Sequence, residues 1–382
     1  MEKLEQERIV EHEYGLDINN EDDIPVYPMN GIQVDKGFYT VFELKRRFDA
    51  KEKRIILDSD FQREDVWDKN RKSELVESVL MGLPLPVFYF NQDKYGKLIV
   101  IDGRQRLTAL FEFMDDKYPL RKLKVLSEHN DKYFSQLSPV LQARIEDYQI
   151  QAHVIMPPTP DRIKFDIFDR VNRGGMQLNK QEIRNALYQG NATKFLNKIV
   201  KSASFVQATG KAFVHEKRMK DKYLVTRFLA IYMYQQNYLK SDDGSAYEYR
   251  DDIDDLLGRT MDFMNHMDLD KLEKLFLMVE DTLEKSFFYL GEDAFRLRND
   301  SSRKSPINMN VFETIMYIMT FISVKDKKYE ELIWNGVYSF VDSNKFRENI
   351  SSRRDGYVQW TWRIAAAEEI GRRLKLDTEN TN

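Results

Sequence analysis

Hydrophobic residues between about residues 38 and 190 follow two different spacings. Leu75, Val76, Val79 and Leu80 recur every three or four positions, which predicts an amphipathic helix over 70–81. The segment 98–101 is apolar throughout, as is typical of a strand buried on both faces. The same reasoning predicts strands at 54–57, 87–90 and 149–156, and helices at 41–48 with Thr40 as N-cap, from 103 onward, at 161–172 and at 179–189.

After residue 191 the pattern shows helical spacing only. It predicts helices over 221–239, 247–266, 269–290, 306–323, 328–341 and 357–374. We therefore predict an α+β domain over 31–190, followed by an all-α helical domain over 191–382. Residues 1–30 form a separate acidic arm. Their first 25 positions carry nine acids against two bases, a composition typical of a mobile segment.

Composition excludes several kinds of site. The chain has no cysteine, which removes disulfides, thiolate zinc sites, iron–sulfur clusters and cysteine nucleophiles. No apolar run approaches the roughly 18 residues that a membrane span needs, and the N-terminus does not resemble a signal peptide. We expect a cytoplasmic protein without a membrane partner. The net charge is only −4, so any contact with nucleic acid must come from a local basic patch.

The apolar segment 98–101 leads directly into a polar corner. Asp102 and Gln105 have the spacing of a capping box, so we predict that Asp102 is the N-cap of a helix through Leu107–Met114. The N-terminus of a helix carries partial positive charge and favours acids in its first turn. This turn instead carries Arg104 and Arg106, which destabilise the helix unless an anion is bound.

The same corner has the groups that bind phosphate. Gly103 allows a ligand to approach the backbone closely, helix N-terminal amides point outward, and guanidinium groups bind phosphate oxygens in pairs. The corner therefore predicts a site for the phosphates of a nucleotide or of DNA. The alternative is that both arginines pair with acids such as Asp93 or Glu112.

Two further polar clusters offer weaker signals. Asn172 and Arg173 precede a Gly-Gly turn with basic residues on both sides, which is either a ligand loop or a plain joint between helices. Asp60, Glu64 and Asp65 lie close together in sequence. They form either a magnesium site, which requires oxygen ligands, or a solvated acidic turn.

Four motifs occur in a fixed order along the chain. They are Phe61-Gln62-Arg63-x-x-x-Trp67, Leu75-Val76-Glu77-Ser78-Val79-Leu80-x-Gly82-x-Pro84-x-Pro86, Ile101-Asp102-Gly103-x-Gln105-Arg106-Leu107-Thr108-x-Leu110 and Asn172-x-Gly174-Gly175-x-x-Leu178. The ordered set resembles the N-terminal domain of GmrSD-type restriction systems, also called the domain of unknown function 262 family. That family is similar in turn to the ParB and sulfiredoxin fold. The resemblance covers about residues 38–190.

The resemblance implies a ParB/sulfiredoxin-like fold and nucleotide binding at the corner, with hydrolysis left open. Gly103 and Arg106 would contact phosphate, and Asp102 would orient the loop or help to hold a metal. Arg104 stands where the family more often has glutamine. Sulfiredoxin chemistry is excluded because the chain has no cysteine. Further candidates for phosphate binding are Arg104, Gln105, Gln62, Arg63, Asn172 and Arg173.

We therefore predict a nucleotide-binding module of a prokaryotic DNA-restriction or phage-defence system, with an NTP as ligand or substrate. If the NTP is hydrolysed, Asp102, Arg106 and Glu64 are the candidate catalytic residues. Mg²⁺ would then be held by Asp102 and Asp60.

Two alternatives stay open. One is a metal-dependent DNA nuclease in the same domain, and the other is a non-enzymatic module that binds DNA or a protein partner. Many relatives carry a histidine–metal nuclease domain, but the five histidines of this chain are not clustered. A separate nuclease subunit is therefore one predicted partner.

Overall fold

The computed structural model describes residues 32–57, 67–93, 95–171, 179–216, 218–241, 243–298, 305–351 and 355–379. Within these residues the chain divides into two units. The N-terminal unit contains 32–171 and 185–187, and the helical unit contains 179–184 and 188–379. The predicted acidic arm lies outside the described residues, and the predicted domain boundaries stay predictions.

The N-terminal unit combines one five-stranded sheet with helices. Its elements are β1 (Gln33–Thr40), α1 (Val41–Asp49), β2 (Ile55–Ile56), α2 (Lys69–Leu80), β3 (Phe88–Gln92), β4 (Leu98–Asp102), α3 (Arg104–Met114), α4 (Pro139–Glu146), β5 (Gln149–Met156) and α5 (Asp161–Val171). The predicted mixture of strands and helices is confirmed. Likeness to the ParB/sulfiredoxin fold stays a prediction.

The strand order is β1-β5-β3-β4-β2. β1 pairs antiparallel with β5, β3 pairs antiparallel with β4, and the β5–β3 and β4–β2 pairs are parallel. β4 thus has a hydrogen-bonded strand on each side. Its residues 98–101 are all buried, as their apolar sequence predicts. Asp102 is the last residue of β4 and lies at the C-terminal end of this inner strand.

Helices α2 and α3 supply the core that supports β4. Val76 and Val79 of α2 and Leu107 and Leu110 of α3 are buried in one hydrophobic cluster with Phe90 of β3. The predicted amphipathic helix over 70–81 is therefore confirmed as α2. Thr40 also caps α1 as predicted, since its hydroxyl accepts a hydrogen bond from the Glu43 amide at 3.1 Å.

Two elements of this unit do not follow from the sequence pattern. β1 was not predicted because most of its residues are exposed at the edge of the sheet, so apolar and polar positions do not alternate. α4 was not predicted because it buries Ile145 alone and shows little helical periodicity.

The regular elements of the second unit are helices, and its described residues add two isolated bridges. Its helices are α6 (Lys180–Leu187, of which 180–184 belong to this unit), α7 (Asn191–Val200), α8 (Ala203–Ala208), α9 (Lys220–Gln235), α10 (Ile253–Asn265), α11 (Leu269–Leu290), α12 (Met309–Met319), α13 (Glu330–Val341), α14 (Asn344–Ser351) and α15 (Tyr357–Glu379). In the part of the chain that the structure describes, no helix combines the length and apolarity required to cross a membrane.

Three of these helices were not predicted, and others, α10 and α12 most of all, are shorter than predicted. α8 and α14 are short, whereas α7 carries a signal that could have identified it, because Ala192, Phe195, Leu196 and Ile199 are buried at helical spacing. The helix predicted over 247–266 begins only at residue 253. The preceding Asp252 acts as its N-cap and accepts a hydrogen bond from the Asp255 amide at 2.9 Å.

A buried ionic network joins three helices of the second unit. Glu313 of α12 accepts hydrogen bonds from Arg227 of α9 at 2.5 Å and from Arg363 of α15 at 2.7 Å. Arg227 also donates to Asp355 at 2.7 Å. Burial opposes the charge of Arg227, but the carboxylates of Asp355 and Glu313 outweigh it and raise its pKa. Each buried charge of this network is stabilised by an opposite charge, so removal of one partner leaves another charge buried and unpaired.

Replacing Glu313 with glutamine removes the carboxylate that two buried arginines share. We expect Glu313→Gln to lower the free energy of unfolding by about 3–5 kcal/mol, because unpaired buried charges are costly. Glu273→Gln is the matched control, since Glu273 forms an exposed pair with Lys198 and should change stability by about 1 kcal/mol or less. Urea unfolding measures both values. Equal losses would contradict the central role of the network.

Glu77 anchors a loop to α2 in the N-terminal unit. Its carboxylate accepts hydrogen bonds from the amides of Lys124 at 3.2 Å, Val125 at 2.7 Å and Leu126 at 2.9 Å. Burial tends to raise the pKa of Glu77, but the three amide donors outweigh it, and the pKa lies below its ordinary value of 4.5. The folded state therefore prefers the ionised carboxylate.

This preference predicts a pH dependence of stability. The contribution of Glu77 is complete above about pH 4.5 and is lost as the pH falls through its lower folded pKa. We expect Glu77→Gln to be destabilised at neutral pH and to lose less further stability than the wild type on acidification. Glu74→Gln, at an exposed position of the same helix, serves as control. Urea unfolding across this pH range tests the prediction, and parallel curves for the wild type and Glu77→Gln would contradict it.

Candidate functional site

The predicted corner lies between β4 and α3, and its backbone requires glycine. Gly103 has φ 98° and ψ 5°, a left-handed conformation that other residues adopt at a cost. A Cβ atom at this position would also overlap the ring of Phe88, which is itself buried. The sequence argument explained Gly103 by the approach of a ligand. The structure gives a different reason, the approach of Phe88.

The start of α3 differs from the prediction. Gly103, not Asp102, is the N-cap, and the helix begins at Arg104, one residue after the predicted start at Gly103. Asp102 is the last residue of β4, and its carboxylate pairs with Arg106 at 2.7 Å instead of capping the helix. The predicted capping box is therefore wrong. A glycine N-cap has no side chain that could accept hydrogen bonds from the first-turn amides.

Arg106 holds the corner together from inside. Its guanidinium donates hydrogen bonds to Asp102, to the Pro86 carbonyl and, at 3.4 Å, to the Val87 carbonyl. It also lies 4.1 Å from the centre of the Phe88 ring. Burial holds the pKa of Arg106 below its ordinary value, and the neighbouring Asp102 carboxylate offsets part of this effect. These contacts tie α3 to the residues that precede β3.

The alternative partners considered from the sequence are not those observed. Arg106 pairs with Asp102, whereas Glu112 pairs with Lys72 at 2.6 Å. Asp93 accepts hydrogen bonds from two backbone amides of its own turn. The positive charge of Arg106 at the N-terminus of α3 is therefore offset by a carboxylate only four residues away in sequence, that of Asp102. Phosphate contact by Arg106 stays a prediction, and its observed contacts give it a positioning role.

Arg104 and Gln105 occupy the first turn of α3 and are partly exposed. This turn contains no acidic residue. The first amides of a helix have no acceptor within the helix, so the end of α3 keeps its partial positive charge and gains the charge of Arg104. Arg104 is thus the corner's candidate for direct contact with an anion.

The remaining predicted site residues lie outside the described residues. They are Asp60, Gln62, Arg63 and Glu64, and in the second cluster Asn172 and Arg173. The described residues bring together no group of three or more acids or histidines that could hold a metal ion. Of the predicted metal ligands, the structure describes Asp102 alone, and one oxygen of its carboxylate is paired with Arg106.

Residues 44–189, which include the whole corner, match the family described as GmrSD restriction endonuclease, N-terminal domain. The predicted resemblance is confirmed. The match covers less than half of the chain, so it identifies this GmrSD-type domain and says nothing of the helical unit beyond residue 189. Its description supports a role in restriction or phage defence. The comparisons with curated proteins and with solved structures found no match.

Sequence reasoning missed the residues that complete the corner of the GmrSD-type domain. Pro86 and Val87 supply the carbonyls that bind Arg106, and Phe88 supplies the ring beside Gly103. The Leu-Pro-Leu-Pro run at 83–86 was used only as part of a family motif. Its extended backbone presents carbonyl groups without proline amides, which is a signal for a hydrogen-bond acceptor that could have been used.

Substitution of Gly103 tests this account of the corner. Gly103→Ala combines backbone strain with overlap against Phe88, and we expect it to lower the free energy of unfolding by about 3 kcal/mol or more. Gly82→Ala is the control, because Gly82 has a φ of 72° with open space around it, and strain alone costs about 1–2 kcal/mol. Urea unfolding of the two variants measures the difference. Similar losses would show that Phe88 imposes no constraint.

Proposed function

We propose that the GmrSD-type domain is a nucleotide-binding module of a prokaryotic DNA-restriction or phage-defence system, with the phosphates of an NTP at the start of α3. The observation that carries the proposal is the charge at this helix end. The first turn has no acid, its N-cap is a glycine, and it carries two arginines, Arg104 and Arg106. Backbone amides and Arg104 together favour a bound anion.

Each residue of the corner has a distinct role in this proposal. Arg104 contacts a phosphate oxygen, with the adjacent amides as further donors. Arg106 and Asp102 hold the strand end and the helix start in one geometry, so little ordering accompanies binding. Gly103 has no Cβ atom and therefore allows the backbone to pass beside the Phe88 ring. Gln105 contributes its partly exposed side chain to the same surface.

Hydrolysis of the nucleotide is the finer part of the proposal. Mg²⁺ commonly binds to one or two carboxylates together with substrate phosphates and water. Asp102 fits that requirement in part, because one of its oxygens is engaged by Arg106. Asp60 as a second ligand, and Glu64 as the group that orients water, are proposals from the sequence alone. The magnesium ion would neutralise phosphate charge.

Calorimetric titration with ATP, GTP and CTP in the presence of Mg²⁺ tests nucleotide binding. We expect Arg104→Ala to weaken binding by about tenfold or more, as loss of a charged hydrogen bond predicts, and to lower the free energy of unfolding less than Arg106→Ala does. Arg106→Ala should lose both binding and stability, because it leaves Asp102 and two carbonyls without their donor. Arg121→Ala, at an exposed position of the same unit, should leave both unchanged.

Phosphate release in the same samples separates an NTPase from a module that only binds. No binding of any nucleotide by the wild type would overturn the proposal. So would equal affinities of the wild type and Arg104→Ala. DNA cleavage with Mg²⁺ or Mn²⁺ and no nucleotide would then favour the nuclease alternative.

A further inference from the structure

A second candidate site lies in the N-terminal unit, at the other end of β4 from the corner. A groove of about 1000 Å³ is formed where the end of α1, the loop into β2 and the β3–β4 turn meet. Five basic side chains line it, and we call these the basic groove: Arg46, Arg47, Lys53, Arg54 and Lys97.

The acids in the groove do not balance these bases. Its lining includes two acidic residues, Glu52 and Asp93. The Asp93 carboxylate is engaged within its own turn, because it accepts hydrogen bonds from the amides of Tyr95 at 2.9 Å and Lys97 at 2.8 Å. In a chain with a net charge of −4, this surface is a local excess of positive charge.

Three of the five bases form no ion pair with the residues that the structure describes. Arg47 pairs with Glu43 at 2.7 Å, and Lys53 lies 4.4 Å from the centre of the Phe48 ring. Within the described residues, Arg46, Arg54 and Lys97 form no ion pair. A cluster of like charges that repel one another is stabilised when an anion with several charges binds.

The backbone fixes the groove in place. The Arg54 amide donates to the Arg47 carbonyl at 3.0 Å, and the Leu98 amide donates to the Arg54 carbonyl at 2.9 Å. These two hydrogen bonds connect the end of α1, the loop before β2 and the start of β4. The bases therefore come from three separate stretches of sequence but share one rigid surface.

Tyr95 adds an aromatic group to this surface. It lies in the β3–β4 turn that lines the groove, and 70 % of the residue is exposed. An exposed ring beside several cations is the combination that binds nucleic acid, because cations contact phosphates and the ring stacks on an unpaired base. Binding of an acidic protein surface would require the cations of the groove but not an exposed aromatic ring, so the ring favours nucleic acid as the ligand.

We propose that the basic groove binds the phosphodiester backbone of DNA and that Tyr95 stacks on an unpaired base. The groove is separate from the nucleotide site proposed above. Lys97 precedes β4 and Asp102 ends it, so the two sites lie about 17 Å apart along the strand. The inference does not depend on nucleotide binding at the corner.

Fluorescence anisotropy with a labelled DNA duplex and the matching single strand tests the proposal in the full chain. We expect the double variant Arg54→Ala/Lys97→Ala to weaken binding at least tenfold at low salt. It should also reduce the slope of log Kd against log salt concentration by about 2, since two phosphate contacts are lost. The control Lys69→Ala/Arg121→Ala removes the same charge at exposed positions outside the groove and should change neither quantity.

Tyr95→Ala should weaken binding of the single strand by about tenfold and leave duplex binding unchanged. Equal effects of the two double variants would overturn the assignment to the groove. Unchanged single-strand binding by Tyr95→Ala would overturn the stacking contact. Competition by polyglutamate as strong as that by DNA at equal charge would overturn nucleic acid as the ligand.

Arg104→Ala separates this inference from the nucleotide site. We expect this variant to bind DNA like the wild type. If Arg104→Ala lost DNA binding as fully as the groove variant, the two sites would not be independent and the inference would be wrong. Failure of nucleotide binding with retained, groove-dependent DNA binding would leave the inference standing.

Discussion

The ion pair between Asp102 and Arg106 is the interaction on which the candidate site depends. It joins the end of a central strand to the first turn of a helix, and the same guanidinium binds two carbonyls ahead of the neighbouring strand. Loss of Arg106 would leave the Asp102 carboxylate and two carbonyls to be satisfied by water. Three segments would then lose their common fixed point. The same pair places a carboxylate beside one of the two arginines at the positive end of α3.

The strongest patterns of the sequence predicted the N-terminal fold well. α2 and β4 follow from their apolar spacing, and β5 was predicted with its exact limits. β1 and α4 were missed because neither buries a regular apolar face. Sequence periodicity reports burial, so elements held by pairing at a sheet edge or by a short surface contact leave little trace.

The junction of strand and helix at residues 102–104 was predicted at the right place in the sequence, but its internal contacts were not predicted. Spacing alone made Asp102 and Gln105 a capping box, and Arg106 a ligand for phosphate. The partners that changed this interpretation, the carbonyls of Pro86 and Val87 and the ring of Phe88, lie about 20 residues earlier in the chain. Local rules carry no information about a segment that arrives by folding. The basic groove escaped notice for the same reason, since its bases come from three separate stretches.

β4 has a further consequence for any pair of ligands that this domain binds. The strand is only five residues long and is hydrogen-bonded on both sides, to β3 and to β2. It therefore cannot stretch or bend on its own. A molecule held near Lys97 and another held near Arg104 would be kept at a constant separation, about the rise of five stacked base pairs, whatever the rest of the chain does. The length of β4 would thus fix the distance between the two bound molecules.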